Sequence, residues 1–169
     1  MRIRIAIVWI LALIVTILVF AFVQFLMPVP TRIDPLSKEA GEIITALIMY
    51  SGETGGQYPD AEIDSNAALQ MIFPDPYELE GSWSYVSGLT DSAPGSTPII
   101  MEGPYNTSTT RDQALIGFLD GCIIMVKQPQ NVKPGEPWSL RSINIGNHTI
   151  SELIARVPGA KVLDPLPKP

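Results

Sequence analysis

The chain has 169 residues, of which 46% are hydrophobic and 17% are charged, with 13 glycines and 16 prolines. This composition is too apolar for a disordered protein, and its glycine and proline content predicts many turns. The net charge of −6 argues against a nucleic-acid-binding protein, which needs a basic face. The single cysteine excludes a disulfide framework, and the single histidine excludes a histidine-rich metal site.

The first 30 residues predict a membrane anchor. An apolar run of about 23 residues, 5–27, follows Arg2 and Arg4, and about 20 residues suffice to span a bilayer as a helix. Because these charges precede the run, the positive-inside rule predicts a single-pass protein of the cytoplasmic (inner) membrane. Its N-terminus is then in the cytoplasm and residues 31–169 are outside. The rival interpretation is a cleaved signal peptide, whose shorter apolar core ends at a small-x-small site.

Beyond residue 30 the chain is strongly acidic. It holds 9 basic and 17 acidic residues there, for a net charge of −8. This balance favours solubility and disfavours binding to anionic lipid or to nucleic acid. The predicted anchor makes the lipid bilayer an expected partner, through the N-terminal helix, and no nucleic-acid partner is expected.

Two helices are predicted next. Asp34 and Pro35 are typical of an N-cap followed by proline at the first helical position, so we expect a helix over residues 36–51, ended by Gly52. A shorter helix is expected over 66–73, capped by Asp64 or Ser65 and ended by prolines at 74 and 76. In the first helix the charged residues Lys38, Glu39 and Glu42 fall largely off an apolar stripe made by Ala40, Ile43, Ile44, Leu47 and Ile48.

The pattern then changes to that of an antiparallel sheet. Strands are predicted over 83–86 and 97–102, and Pro98 suits an edge position or the first residues of a strand. Asp120-Gly121 between the apolar runs 114–119 and 122–126 predicts a hairpin with a type I′ turn. Residues 140–145 are a candidate short strand. Thr149 and Glu152 fit a capping box that opens a helix reaching about Val157.

Four stretches together with this order of elements carry a resemblance: ALIMY (46–50) with QYP (57–59), the short helix 67–73, WSYVSGLT (83–90) with PGSTPII (94–100), and FLDG (118–121). They resemble the pilin-like proteins, and in particular the G-type pseudopilins of type II secretion in their divergent planctomycete and verrucomicrobial form. The similarity covers about residues 36–126. It implies an α+β fold in which an N-terminal transmembrane helix precedes a small pilin-like domain, with one amphipathic helix packed on an antiparallel sheet. It also implies other pilin-like or secretion-system proteins as partners.

The chain departs from pilin precursors at its N-terminus. They carry a glycine cut by the prepilin peptidase and a glutamate inside the apolar helix. Here no glycine precedes Gly41, and the apolar run contains no glutamate. The resemblance therefore implies a pilin-like exterior domain on a plain anchor, lacking the prepilin peptidase motif.

No residue pattern indicates catalysis, a cofactor or a metal, so no catalytic, cofactor-binding or metal residue is assigned. His148 lacks a neighbouring nucleophile and is expected at the surface of a helix start. Cys122 is expected to be a small buried residue of a strand rather than a reactive thiol. The alternating carboxylates Asp60, Glu62 and Asp64 offer oxygen ligands suited to calcium but lack an EF-hand pattern, and a solvated loop is expected instead.

The expected function is that of a non-enzymatic, membrane-anchored pseudopilin-like protein, a structural or assembly component of a type II secretion or pilus-like envelope system. The alternative is a single-pass anchored sensor or binding domain that reuses the pilin-like fold. An envelope enzyme is the third possibility, and no group of residues in the sequence supports it.

Overall fold

The computed structural model describes residues 35–62, 64–73 and 78–165. These residues belong to one compact unit within Asp34–Pro169. The predicted anchor, the predicted cap Asp34 and the prolines at 74 and 76 lie outside the described residues. In the described ranges, no helix combines the length and the apolar character needed to cross a membrane.

Helix α1, Pro35–Glu53, is the long amphipathic helix that the sequence predicts. Ala40, Ile43 and Leu47 are fully buried on one face, as their spacing requires. The helix runs past Gly52, and the chain turns at Gly55 and Gly56, whose φ angles of 73° and 87° suit glycine. The helix therefore extends two residues beyond the predicted last residue, Ser51, because the glycines that adopt positive φ come after Gly52.

Helix α2, Ser65–Gln70, is shorter than predicted. Asp64 caps it, accepting a 2.9 Å hydrogen bond from the Ala67 backbone N–H, which is one of the orphan donors of a helix start. At the other end the Met71 N–H bonds to Ala68 O, so the last turn tightens and the helix stops before the predicted end at residue 73.

The centre of the domain is a five-stranded sheet in which every pairing is antiparallel, in the order β4-β3-β2-β1-β7. Pro98 is the first residue of β2, one of the two positions predicted for it, and lies beside a register shift. Helix α1 packs on β3 and β4, so the α+β class with a helix on an antiparallel sheet is confirmed. The strands are β1 (Trp83–Ser87), β2 (Pro98–Glu102), β3 (Gln113–Phe118), β4 (Ile123–Lys127) and β7 (Lys161–Leu163).

The β3–β4 hairpin is confirmed, but its predicted turn type is wrong. A type I′ turn needs positive φ at both central residues, and no non-glycine residue in the described part of the chain has a positive φ. Instead Gly121 N–H bonds to Phe118 O at 3.0 Å and Phe118 N–H bonds to Cys122 O at 2.9 Å. With Gly121 at a φ of 86°, this is a three-residue loop that ends in a left-handed glycine.

The C-terminal third differs most from the sequence analysis. Residues 140–145 are not one strand: Leu140–Ser142 form a 3₁₀ turn, and β5 (Asn144–Ile145) pairs with β6 (His148–Thr149) in a separate two-stranded sheet. The capping box of Thr149 and Glu152 is confirmed and opens helix α3, Ile150–Ala155. Strand β7 was not predicted, and it completes the main sheet by pairing with β1.

Candidate functional site

Glu39 is a buried carboxylate that joins α1 to the segment leading into β1. Its side chain is 5% exposed. One oxygen accepts the Glu80 backbone N–H. The other accepts the Gly81 N–H and the Trp83 indole N–H, both at 2.8 Å. The expectation that Glu39 lies off the apolar stripe is wrong, because four-residue steps place it on the same face as Ile43 and Leu47.

Glu102, at the end of β2, is a second buried carboxylate with structural partners. It is 6% exposed, forms an ion pair with Arg111 and accepts the Leu115 backbone N–H at 3.2 Å. The Trp138 indole N–H in turn donates to the carbonyl of Arg111. These contacts hold the loop before β3 against β2. They also give the buried Glu102 carboxylate its partners, without which it would be strongly destabilising.

Asp164 ties the end of the described chain back to the sheet. One of its oxygens accepts the Ser84 hydroxyl at 2.7 Å and the Tyr105 backbone N–H at 2.9 Å. The other accepts the Asn106 N–H at 3.0 Å. The Arg141 guanidinium lies 5.1 Å from the centroid of the Tyr105 ring, which is within cation–π range. The Asp164 carboxylate therefore stabilises the position of β7.

The carboxylates that the sequence singled out for calcium are not assembled into a metal site. Asp64 caps α2 through its side chain, whereas Glu62 contributes only its backbone carbonyl, which accepts the Lys161 ammonium at 3.0 Å. Over the ranges that the structure describes, no group of three His, Cys, Asp or Glu side chains is placed to hold a metal ion. Within the same ranges, no buried side-chain nitrogen or oxygen lacks a hydrogen-bond partner.

His148 lies at the start of α3, as predicted, with 40% of its side chain exposed. The Arg156 guanidinium is 2.9 Å from its ring nitrogens, and Glu152 is 3.7 Å from Nδ1. The Thr149 backbone N–H, which bonds to the Glu152 carboxylate, is the main cause that lowers the pKa of Glu152. In the described part of the chain, the groups that contact the His148 ring are thus the Arg156 guanidinium and the Glu152 carboxylate, which belongs to the capping box of α3.

Cys122 is exposed and lies one residue before β4. The prediction of a buried strand cysteine is therefore wrong: Cys122 directly follows the three-residue loop 119–121, and its side chain is exposed there. The Asp120 carboxylate beside the thiol raises its pKa above the ordinary value. A raised pKa keeps the thiol protonated at neutral pH, and the thiolate is the reactive form.

The remaining feature is a surface on α1 that nothing in the described part of the protein covers. We call it the outer strip and define it as Lys38, Gly41, Glu42, Thr45, Ala46 and Met49, which together line one shallow depression. Met49 is 63% exposed, and the neighbouring Ile48 is 46% exposed. Contiguous exposed apolar surface is typical of an interaction site.

Compared with known proteins, the chain matches no family model, no curated protein and no solved structure. What it does is therefore inferred from its own residues and from the resemblance carried by its motifs.

Proposed function

We propose that this chain is a non-enzymatic, membrane-anchored protein similar to the G-type pseudopilins, and that it serves as a structural or assembly component of a type II secretion or pilus-like envelope system. The observation that carries the proposal is the outer strip. It is a surface that includes the exposed Met49 and has the exposed Ile48 next to it, on a helix whose opposite face is buried against β3 and β4. A helix held rigidly on one side and open on the other is suited to contacts between proteins.

The chain order of the domain supports the same proposal. A long helix precedes an antiparallel sheet whose β3–β4 hairpin carries the Asp120-Gly121 pair. The motif stretches of the resemblance fall on α1, α2, β1, β2 and that hairpin. The anchor predicted over residues 1–30 adds the membrane attachment that an envelope assembly protein needs.

The use of two buried carboxylates, Glu39 and Glu102, and of the partly buried Asp164 favours a structural role over an enzymatic one. Glu39, Glu102 and Asp164 each receive two or three hydrogen bonds from their own chain. General acid–base catalysis requires such a group to face a substrate with a matched pKa. These three groups instead stabilise the junctions between α1, the sheet and β7.

The test is deletion of the gene in its host, with complementation by the full chain. We expect the deletion to reduce the proteins secreted into the medium, or to remove surface filaments, and the full chain to restore them. A matched control replaces residues 1–30 with a cleavable signal peptide, which releases the domain and is expected not to complement. Unchanged secretion and unchanged filaments would contradict the proposal and favour the anchored sensor or binding domain.

The state of the N-terminus tests the anchor separately. Intact mass and terminal sequencing of the membrane-fraction protein are expected to show a chain that starts at Met1 or Arg2. A cut just ahead of the apolar run would indicate an unusual pilin precursor, whereas a cut after the run would release the domain and contradict the anchor.

A further inference from the structure

We infer that β4 pairs edge to edge and antiparallel with β4 of a second copy of this chain, so that two sheets join across a two-fold axis at Met125. The surface is the β4 edge, which we define as the backbone N–H and C=O groups of Ile123, Met125 and Lys127. Three observations support the inference: the groups that β3 leaves open, the difference between the two edges of the sheet, and the charges along the strand.

The register between β3 and β4 leaves one side of β4 open. β4 is the last strand of the sheet, with β3 as its neighbour. Phe118 N–H donates to Cys122 O, and Gln128 N–H donates to Asp112 O, so every second residue between them forms the hydrogen-bonded pairs with β3. This alternation directs the groups of the β4 edge away from β3. Within the described ranges, no hydrogen bond from another element reaches them.

The opposite edge of the sheet, β7, is protected in ways that β4 is not. β7 has three residues, begins at Lys161 and is followed by Asp164 and Pro165. Short length, charge and proline all keep a sheet edge from pairing with another chain. β4 has five residues and no proline, its first four residues are Ile-Ile-Met-Val, and Met125 is 47% exposed. An open apolar edge of this kind is a template for a further strand.

The β4 edge is complementary to itself. In an antiparallel pair centred on Met125, this residue lies opposite Met125 of the second copy, and Ile123 lies opposite Lys127. All three residues direct their backbone groups outward, so they form three hydrogen-bonded pairs with about six bonds in total. Each copy contributes the same groups, as a two-fold contact requires.

The charges along the strand favour the antiparallel direction. Over residues 120–127 the charged side chains are Asp120, in the turn before β4, and Lys127, at its end, and both residues are exposed. Antiparallel pairing brings the Lys127 end of one copy to the Asp120 end of the other, whereas parallel pairing would bring like charges together. The strand between them is uncharged, so this contact avoids the repulsion expected between two domains whose net charge is −8.

The experiment is disulfide cross-linking of the full chain in its own membrane. The background variant is Cys122→Ser, which removes the exposed native thiol. Met125→Cys then places one cysteine at the two-fold axis, where the two Cα atoms are expected about 5.5 Å apart, within the range of a disulfide. Ser108→Cys, on an exposed loop, is the matched control for chance collisions.

We expect oxidation to convert most of the Met125→Cys protein, and little of the Ser108→Cys protein, into a dimer on a non-reducing gel. Equal yields from the two variants, or no dimer from Met125→Cys, would overturn the inference.

The parent protein tests the register of the pairing. Its single thiol, Cys122, is exposed and precedes Met125 by three residues. In the paired strands the two Cys122 residues lie about six residues apart, or about 20 Å, which is too far for a disulfide. We expect the parent protein to form no more dimer than the Ser108→Cys control. A parent dimer as abundant as that of Met125→Cys would contradict the inferred register.

A proline variant tests the backbone contact itself. The N–H of Lys127 points away from β3, so Lys127→Pro leaves the β3–β4 ladder intact and removes a donor to the second copy. Added to Met125→Cys, it is expected to reduce the dimer at least several-fold. Lys127→Ala removes the same charge but keeps the N–H, and is expected to reduce the dimer less. Equal reductions, or no reduction with proline, would show that the strands do not pair.

The inference does not rest on the proposed function. A chain that complements secretion without forming this dimer contradicts only the inference. A dimer formed by a protein whose deletion leaves secretion and filaments intact contradicts only the proposed function.

Discussion

Ile44 of α1 packs against Gly117 of β3 so closely that a side chain at position 117 has no room. A Cβ there would overlap the Cδ1 atom of Ile44 and lie 2.8 Å from Cγ1 of Ile100. The glycine therefore sets how near α1 lies to the sheet. That closeness seats the apolar face of α1 on the sheet and leaves the outer strip on the other side.

Gly117→Ala is expected to destabilise the protein by about 1–3 kcal/mol, because the added methyl group overpacks the helix–sheet contact. The measurement is urea unfolding of the detergent-solubilised full chain. Ile44→Val removes the Cδ1 atom that clashes and alone costs about 0.5–1.5 kcal/mol. In the double variant the two losses of stability should not add, because the space freed by Ile44→Val accommodates the methyl group added by Gly117→Ala. Strict additivity would contradict the close contact.

Glu39→Ala is expected to lower the free energy of unfolding by about 3 kcal/mol or more, because it leaves three buried or part-buried N–H groups without an acceptor. The matched control is Glu42→Ala on the same helix. Its carboxylate is exposed and pairs with Lys38, and surface ion pairs contribute about 0–1 kcal/mol. The same urea titration measures both variants. Equal losses for the two would show that Glu39 does not anchor the helix.

Cys122 should be alkylated slowly by iodoacetamide at pH 8 although it is exposed, because Asp120 raises the pKa of its thiol. Asp120→Asn removes the negative charge, and asparagine is still compatible with the turn. We expect the variant to react several-fold faster at the same pH, measured by mass spectrometry over time. An unchanged rate would mean that Asp120 does not control the thiol.

Glu152 links the stability of α3 to pH. Its pKa is lowered in the folded protein, chiefly by the hydrogen bond from the Thr149 backbone N–H. A carboxylate with a lowered folded pKa stabilises the fold above its unfolded pKa of about 4.3, and this contribution is lost as the pH falls through the lower folded value. Glu152→Ala should therefore lower the melting temperature at pH 7.

At pH 3 the difference between Glu152→Ala and the parent protein should shrink, since the carboxyl group is then largely protonated. Glu152→Gln keeps a side-chain acceptor for the capping box but has no charge, so it should lie between the two proteins at pH 7. A difference in melting temperature that does not change with pH would contradict the assigned cause.

Local patterns in the sequence were enough for the elements whose stability is local. The spacing of Ala40, Ile43 and Leu47 predicts α1, the pair Thr149 and Glu152 predicts the cap of α3, and Asp120-Gly121 predicts the hairpin. In each case the residues that decide the structure lie within a few positions of one another. The same patterns do not determine the turn type, because it depends on the φ angle of Asp120 as well as on that of Gly121.

Features that join distant parts of the chain were decided only by the tertiary structure. Strand β7 is three residues long and forms because it pairs with β1, and Asp164 holds it through Ser84, 80 residues away. Glu39 has the same four-residue spacing as Ile43 and Leu47, which places it on their face of the helix. Its burial depends in addition on backbone N–H donors about 40 residues away. A sequence read in short windows contains no information on which distant donors will meet a carboxylate.

The outer strip also depends partly on local sequence and partly on tertiary structure. By itself the sequence determined the acidic charge beyond residue 30, the apolar run that predicts an anchor, and the amphipathic character of α1, because each depends on composition or on local spacing. The tertiary structure decided what covers the apolar side of α1, namely β3 and β4. Gly117 admits Ile44 and brings that face onto β3, so the side bearing Gly41, Thr45 and Met49 is left for a partner.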